Sequence, residues 1–168
     1  MRCAGEILDQ LHNQNKSVSA IVVASGSAAT HVGLLLGLRL LRSRIPVYGI
    51  CVRRDKKQQV SRVKGIVRLA ENLIGCGEVV QEDDIKCHDE WLQPGYGRTN
   101  EFVYEAMTLA GNLEAMVVDP VYTAKSFAGA IGLYRQGLFD KSQNILYLHT
   151  GGTPAIFAYE REITETLN

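Results

Sequence analysis

The feature that most constrains this chain is an alternation. Short apolar runs that read as buried strands are separated by longer stretches whose apolar residues recur three and four apart. Ser17–Ala24, Pro46–Val52 and Asn144–Leu148 are the clear strand runs, and Met116-Val117-Val118 is a shorter one ending at Asp119-Pro120. Helical spacing covers Gly5–Asn13, then Thr30–Arg42 with Leu34, Leu35, Leu38 and Leu41 inward. A long helix runs from its cap at Asp55 to about Ile74, with Val60, Val63, Ile66, Val67 and Leu73 as its apolar positions, and Gly75 and Gly77 stop it. Thr99 or Asn100 caps Thr99–Ala110, Gly137 ends Ala124–Gln136, and Pro154 lies near the start of a last helix. Strands and helices that alternate in this way predict an α/β fold: three layers, a mostly parallel sheet with helices on both faces. Residues 76–98 are the irregular part, holding Trp91, Pro94, Gly95 and Gly97, and a loop of that length in a compact domain is usually functional.

Composition narrows the class of partner. The 168 residues fit one domain with a real core. Eighteen basic residues balance eighteen acidic ones, which is no nucleic-acid footprint. The local run of Arg42, Arg44, Arg53, Arg54, Lys56 and Lys57 reads as a solvated helix end and loop. No apolar stretch approaches the roughly 20 residues of a membrane-spanning helix, and the N-terminus does not read as a signal peptide. Cys3, Cys51, Cys76 and Cys87 share no C-x-x-C spacing, so no metal site is expected and the thiols read as free in a cytoplasmic protein.

In parallel sheets ligands collect at the carboxyl ends of strands. Three segments sit there. Ser25-Gly26-Ser27-Ala28-Ala29-Thr30 is a small-residue turn from strand to helix, where hydroxyls and backbone N–H groups at the positive helix end can hold a phosphate. It is neither a Walker A loop nor G-x-G-x-x-G. Asp119–Lys125 places Tyr122 between a strand and a helix, where a phenol can stack on a ligand or move a proton. Lys125, just inside that helix, reads as an exposed helix lysine. His149-Thr150-Gly151-Gly152 allows a ligand close to the backbone, with Thr150 able to bond a ring nitrogen and His149 read as structural. Tyr96, between Gly95 and Gly97 in the long loop, is poorly placed for core packing and joins the candidates.

Four of these segments, Ala24–Gly33, Gly95-Tyr96-Gly97, Asp119–Lys125 and His149–Pro154, together resemble the D-cysteine desulfhydrase and 1-aminocyclopropane-1-carboxylate deaminase family, pyridoxal-phosphate enzymes of the tryptophan-synthase-β fold type. The resemblance implies that Ser25, Gly26, Ser27, Ala28, Ala29 and Thr30 form the cradle for the cofactor phosphate and that Thr150 faces the pyridine nitrogen. It implies that Tyr96 and Tyr122 are the catalytic phenols beside a small amino-acid substrate. The implied reaction is β-elimination from D-cysteine to pyruvate, ammonia and sulfide, with the deaminase and the L-cysteate sulfo-lyase activities as alternatives. Thr123 stands where the deaminases usually carry Glu and so favours the desulfhydrase branch. Ala28 and Ala29 replace two family glycines, and alanine resists a positive φ.

Family members are about twice this length, and their cofactor-linking lysine lies in the N-terminal half. The resemblance therefore places residues 1–168 as the C-terminal, phosphate-holding large domain, incomplete, with the N-terminal lysine-bearing part absent. A homodimer is implied for the full-length enzyme, and a separately encoded N-terminal half is a possible partner. The chain alone is expected to turn over negligibly. The reading from another class is a non-catalytic phosphate-ligand or partner module. A Rossmann-type nucleotide binder leaves the downstream segments unexplained.

Overall fold

The computed structural model describes residues 1–167. Its helices are α1 (Arg2–Asn13), α2 (Ala29–Leu40), α3 (Lys56–Ile74), α4 (Glu101–Glu114), α5 (Thr123–Arg135) and α6 (Glu160–Leu167). Its strands are β1 (Ala20–Ser25), β2 (Val47–Cys51), β3 (Lys86–His88) and β4 (Ile145–Leu148), in the spatial order β3-β2-β1-β4. Every pairing is parallel, with Val23 opposite Gly49 and Leu148. The central strand β1 is apolar on both faces because both are covered. Ile21 and Val23 pack with Leu34, Leu35 and Leu38 of α2 and with Ala4 and Ile7 of α1. Ala20 and Val22 face the other way, with Ala106, Ala128 and Leu133 from α4 and α5. The three layers expected from the alternation are therefore present. Among the described residues, no helix is long and apolar enough to cross a membrane.

Several local expectations need correction. Met116-Val117-Val118 forms no strand; it runs beside the end of β4, where Val118 instead joins the core under α4 with Val103, Ala110 and Ala124. The strand that completes the sheet, Lys86–His88, lies inside the stretch read as irregular. It pairs along one edge only and buries a single thiol side chain, Cys87, so it has no apolar run to betray it. Leu41 and Leu73 are exposed rather than inward. On α3 the buried position next to Leu73 belongs to Glu71, whose carboxylate accepts the N–H groups of Val79 and Val80 at 2.9 and 3.0 Å. The last helical stretch begins as a 3-10 turn, Thr153–Tyr159, and becomes α-helical at Glu160. Asp55 and Asn100 do cap α3 and α4, accepting from Gln58 N and Val103 N.

Candidate active site

The strand ends converge around the turn after β1. A Cβ built on Gly26 would stand 3.1 Å from Val52 Cγ2 and 3.8 Å from Tyr122 Cε1. The turn thus lies against the start of α5, and any larger residue at Gly26 would intrude between them. Ala28 adopts a left-handed conformation, φ 75°, and begins α2 with no side-chain cap, while Ala29 is helical. Of the two alanines that replace family glycines, one therefore carries the strain, about 1–2 kcal/mol for an L-residue. The uncapped first turn leaves its N–H groups facing outward. Ser27 and Thr30 are exposed there, and Ser27 Oγ accepts only a 3.3 Å bond from Ala29 N.

Ser25 is not part of that outward surface. It ends β1 opposite Cys51, on the face covered by α2 and α3, and is wholly buried. Gln59 Nε2 donates to Ser25 Oγ at 2.8 Å, and the hydroxyl is hydrogen-bonded to His31 Nδ1 at 3.1 Å. Its role is to support the turn from below rather than to face a phosphate. The support is extended from α3 and the segment before it. Arg54 donates to Gly26 O at 3.0 Å, and Arg62 donates to Ser27 O at 2.8 Å. Holding these carbonyls back turns the opposite side of the peptide chain, its N–H groups, toward the open side of the turn. His31, Arg54, Gln59 and Arg62 escaped the sequence reading, and Arg54 lay within a run taken as solvated. A glutamine at the buried position Gln59 in an amphipathic helix was the only signal.

The second part of the site is a pair of phenols. The hydroxyls of Tyr96 and Tyr122 are hydrogen-bonded to one another, with their rings 6.0 Å apart edge to face. The Arg53 guanidinium lies over the Tyr96 ring, 5.5 Å from its centroid, so Arg53 too belongs to the site rather than to bulk solvent. The Tyr96 hydrogen bond, aided by burial, pushes the Tyr122 phenol up to about 12. At neutral pH it is a proton donor, not a base.

Asp119 fixes Tyr122. Its buried carboxylate accepts from Val121 N and Tyr122 N through Oδ2, each at 2.9 Å, and from Thr123 N at 2.8 Å and Thr123 Oγ1 at 2.6 Å through Oδ1. Thr123 is thus a buried member of this cap. Gly152 rests on the same carboxylate: it has φ 99°, and a Cβ there would come within 2.6 Å of Asp119 Oδ1. That contact ties the end of β4, with its exposed Thr150, to the start of α5. His149 is structural, as expected. Its Nδ1 accepts from Gly151 N, and its Nε2 donates to Val117 O at 2.9 Å.

Lys125 departs most from expectation. It is fully buried, and its ammonium donates to Leu92 O at 3.0 Å and Gly95 O at 2.5 Å. Burial lowers its pKa to about 8.

Comparison with known proteins gives the family. Residues 1–151 match the model of the family described as "Pyridoxal-phosphate dependent enzyme". The chain is 40% identical over 146 residues to a D-cysteine desulfhydrase of Salmonella typhi, covering 87% of this chain and 44% of that protein. It is 37% identical over 163 residues to a D-cysteine desulfhydrase of Serratia proteamaculans, covering 97% and 48%. A crystal structure described as an ACC deaminase homologue superimposes with a TM-score of 0.84 at 32% identity, over 98% of this chain and 48% of the other. The chain spans about half the length of the relatives it matches. With that match over most of its length, and with a small-residue turn and two paired phenols at the carboxyl ends of a parallel sheet, this chain belongs to the pyridoxal-phosphate dependent enzyme family.

Proposed function

We propose that this chain is the C-terminal, cofactor-phosphate-holding part of a D-cysteine desulfhydrase-like carbon–sulfur lyase. The observation that carries the reading is the Tyr96–Tyr122 hydroxyl pair standing beside the turn at Gly26. The relatives named D-cysteine desulfhydrase support the reaction class.

The residues fit pyridoxal phosphate. Gly26, Ser27, Ala28, Ala29 and Thr30 offer the uncapped N–H groups and hydroxyls that a phosphate needs, in the space a Cβ at Gly26 would narrow. Thr150, exposed at the end of β4, offers a neutral hydroxyl to a ring nitrogen. When bound, the group supplies the electron-withdrawing ring that eases loss of the Cα proton and the Cβ substituent. Tyr122, held neutral by its partner phenol, donates a proton to the departing sulfur. The positive charge of Arg53 beside Tyr96 eases the transient negative charge on the phenol pair. No lysine in the described site is placed for covalent linkage, because Lys125 is engaged by two loop carbonyls. The link belongs to the part of the relatives outside this chain, supplied in the same polypeptide or by a partner.

The test is reconstitution. The chain with pyridoxal phosphate and D-cysteine should release no sustained sulfide. Completed with the N-terminal half of the Serratia relative, it should release sulfide and pyruvate together. A completed enzyme that leaves D-cysteine untouched but opens 1-aminocyclopropane-1-carboxylate would replace this reading by the deaminase one, which the structural likeness to an ACC deaminase homologue also fits. Sustained sulfide release by the chain alone, with cofactor fixed to a lysine by borohydride, would refute the assignment of the link.

A further inference from the structure

A buried cation without a counter-ion calls for a reason. Lys125 is the third residue of α5 and is completely inaccessible to solvent. The site it occupies disfavours it twice. Burial penalises an ammonium, and the start of a helix is the positive end of its dipole. Among the described residues no carboxylate forms an ion pair with it. An apolar side chain of similar length would fill the same space without that cost. What the ammonium gains is two carbonyls, Leu92 O and Gly95 O, from a loop 30 and 33 residues earlier in the chain.

The loop it holds carries Tyr96, directly after Gly95. Other side chains secure the rest of the same loop. Asn100 donates to Trp91 O at 3.2 Å and to Gln93 O, and Tyr159 donates to Gly97 O at 2.7 Å. These anchors come from the N-cap of α4 and from the C-terminal 3-10 turn. Lys125 alone among them comes from α5, the helix that Tyr122 immediately precedes as its N-cap. It therefore fixes one phenol relative to the other.

We propose that Lys125 is a positioning residue that sets the Tyr96–Tyr122 pair by tying the Leu92–Gly95 carbonyls to the start of α5. It touches neither substrate nor cofactor. It acts by keeping Tyr96 within hydrogen-bonding reach of the phenol that donates the proton. The importance of that pair for catalysis rests on the proposed function. The positioning itself does not, and the test reads the phenols without cofactor or substrate.

The test uses the chain labelled with carbon-13 at the tyrosine ring carbon bearing oxygen. The seven tyrosines are assigned by single Tyr→Phe variants, and each is titrated by NMR. In the parent, Tyr122 should titrate near 12, about a hundredfold weaker as an acid than an ordinary tyrosine at about 10. In Lys125→Met the Tyr122 titration should fall back toward about 10. Tyr147, pushed up to about 12 by burial and bonded to Thr123 O at 2.8 Å rather than to the Tyr96 loop, should stay where it is. Lys125→Arg, which keeps a charged donor, should restore much of the Tyr122 shift. A folded Lys125→Met chain with an unchanged Tyr122 overturns the proposal. Equal falls in Tyr122 and Tyr147 also overturn it, because they mean general loosening. Should Lys125→Met fail to fold, Lys125→Gln, which keeps a neutral donor, is read in the same way. An ordinary Tyr122 titration in the parent would overturn the proposal whatever the variants do.

Discussion

The two loops of the site are held in opposite ways. The turn after β1 is supported by its own neighbourhood. Gln59, Arg54 and Arg62, from the next helix and the residues before it, bond Ser25 and the carbonyls of Gly26 and Ser27. The loop bearing Tyr96 is supported from three directions, by Lys125, Asn100 and Tyr159. A phosphate cradle needs only oriented peptide N–H groups, which one βαβ unit can supply. A pair of phenols from distant segments must be brought together by groups that reach across the fold. The first loop is therefore robust to changes elsewhere, and the second depends on the assembly of the whole domain.

Breaking the second region should cost most. Asp119→Ala removes the buried cap of α5 and strands the N–H groups of Val121, Tyr122 and Thr123. A loss of about 3–5 kcal/mol in urea unfolding is expected, with collapse of the Tyr96–Tyr122 pair. A loss under about 1 kcal/mol would show that water replaces the carboxylate.

The first region should respond to backbone conformation. Ala28→Val places a β-branched residue at φ 75° and should cost about 2–3 kcal/mol. Ala28→Gly should fall within about 1 kcal/mol of the parent, because relief of strain offsets the loss of a buried methyl and the added chain entropy. Similar losses for the two variants would mean that the left-handed geometry is not what the position demands. Gln59→Leu, which leaves Ser25 without its donor, should cost about 1–2 kcal/mol. It should weaken binding of inorganic phosphate or pyridoxal phosphate by fluorescence titration while leaving the Tyr122 titration unchanged. A change in both readouts would show that the two loops are coupled.

Stability should also depend on pH. Lys125 has a lowered pKa of about 8, so between about 8 and the ordinary lysine value near 10.4 the unfolded chain binds more protons than the folded one. The urea midpoint should rise across that window. Tyr122 and Tyr147, both raised to about 12, keep their protons longer in the folded chain. Stability from these two phenols is present below about 10 and is lost as pH climbs toward 12. Lys125→Met should abolish the rise and leave the fall due to Tyr147. A midpoint in the parent that falls steadily from pH 8 would contradict the burial of a charged Lys125.

Much of the fold was legible because its signals are local. Alternating periodicity located β1, β2, β4 and five helices, and Asp55 and Asn100 marked two helix starts. Lys86–His88 was not legible, since an edge strand with one buried side chain leaves no pattern. Met116-Val117-Val118 was misread because an apolar run fits a buried coil as well as a strand until a ladder partner is known. Tyr96 and Tyr122 stood out by their placement between strands, glycines and helices, and the fold brings their hydroxyls together. Ser25 and Lys125 were placed on the wrong side of the surface, because residue type and helix position say nothing about which carbonyl lies opposite.

The α/β alternation, the small-residue turn at Ser25–Thr30, the two tyrosines and the family resemblance rest on residue type and spacing alone. The tertiary structure decided which polar groups face inward and which loops meet. Only there does Ser25 bond His31, Gly152 rest on Asp119, and a buried lysine bind the loop of Tyr96. The physical reason is that a buried polar group is stable only beside its partner, and the partner can lie thirty residues away along the chain.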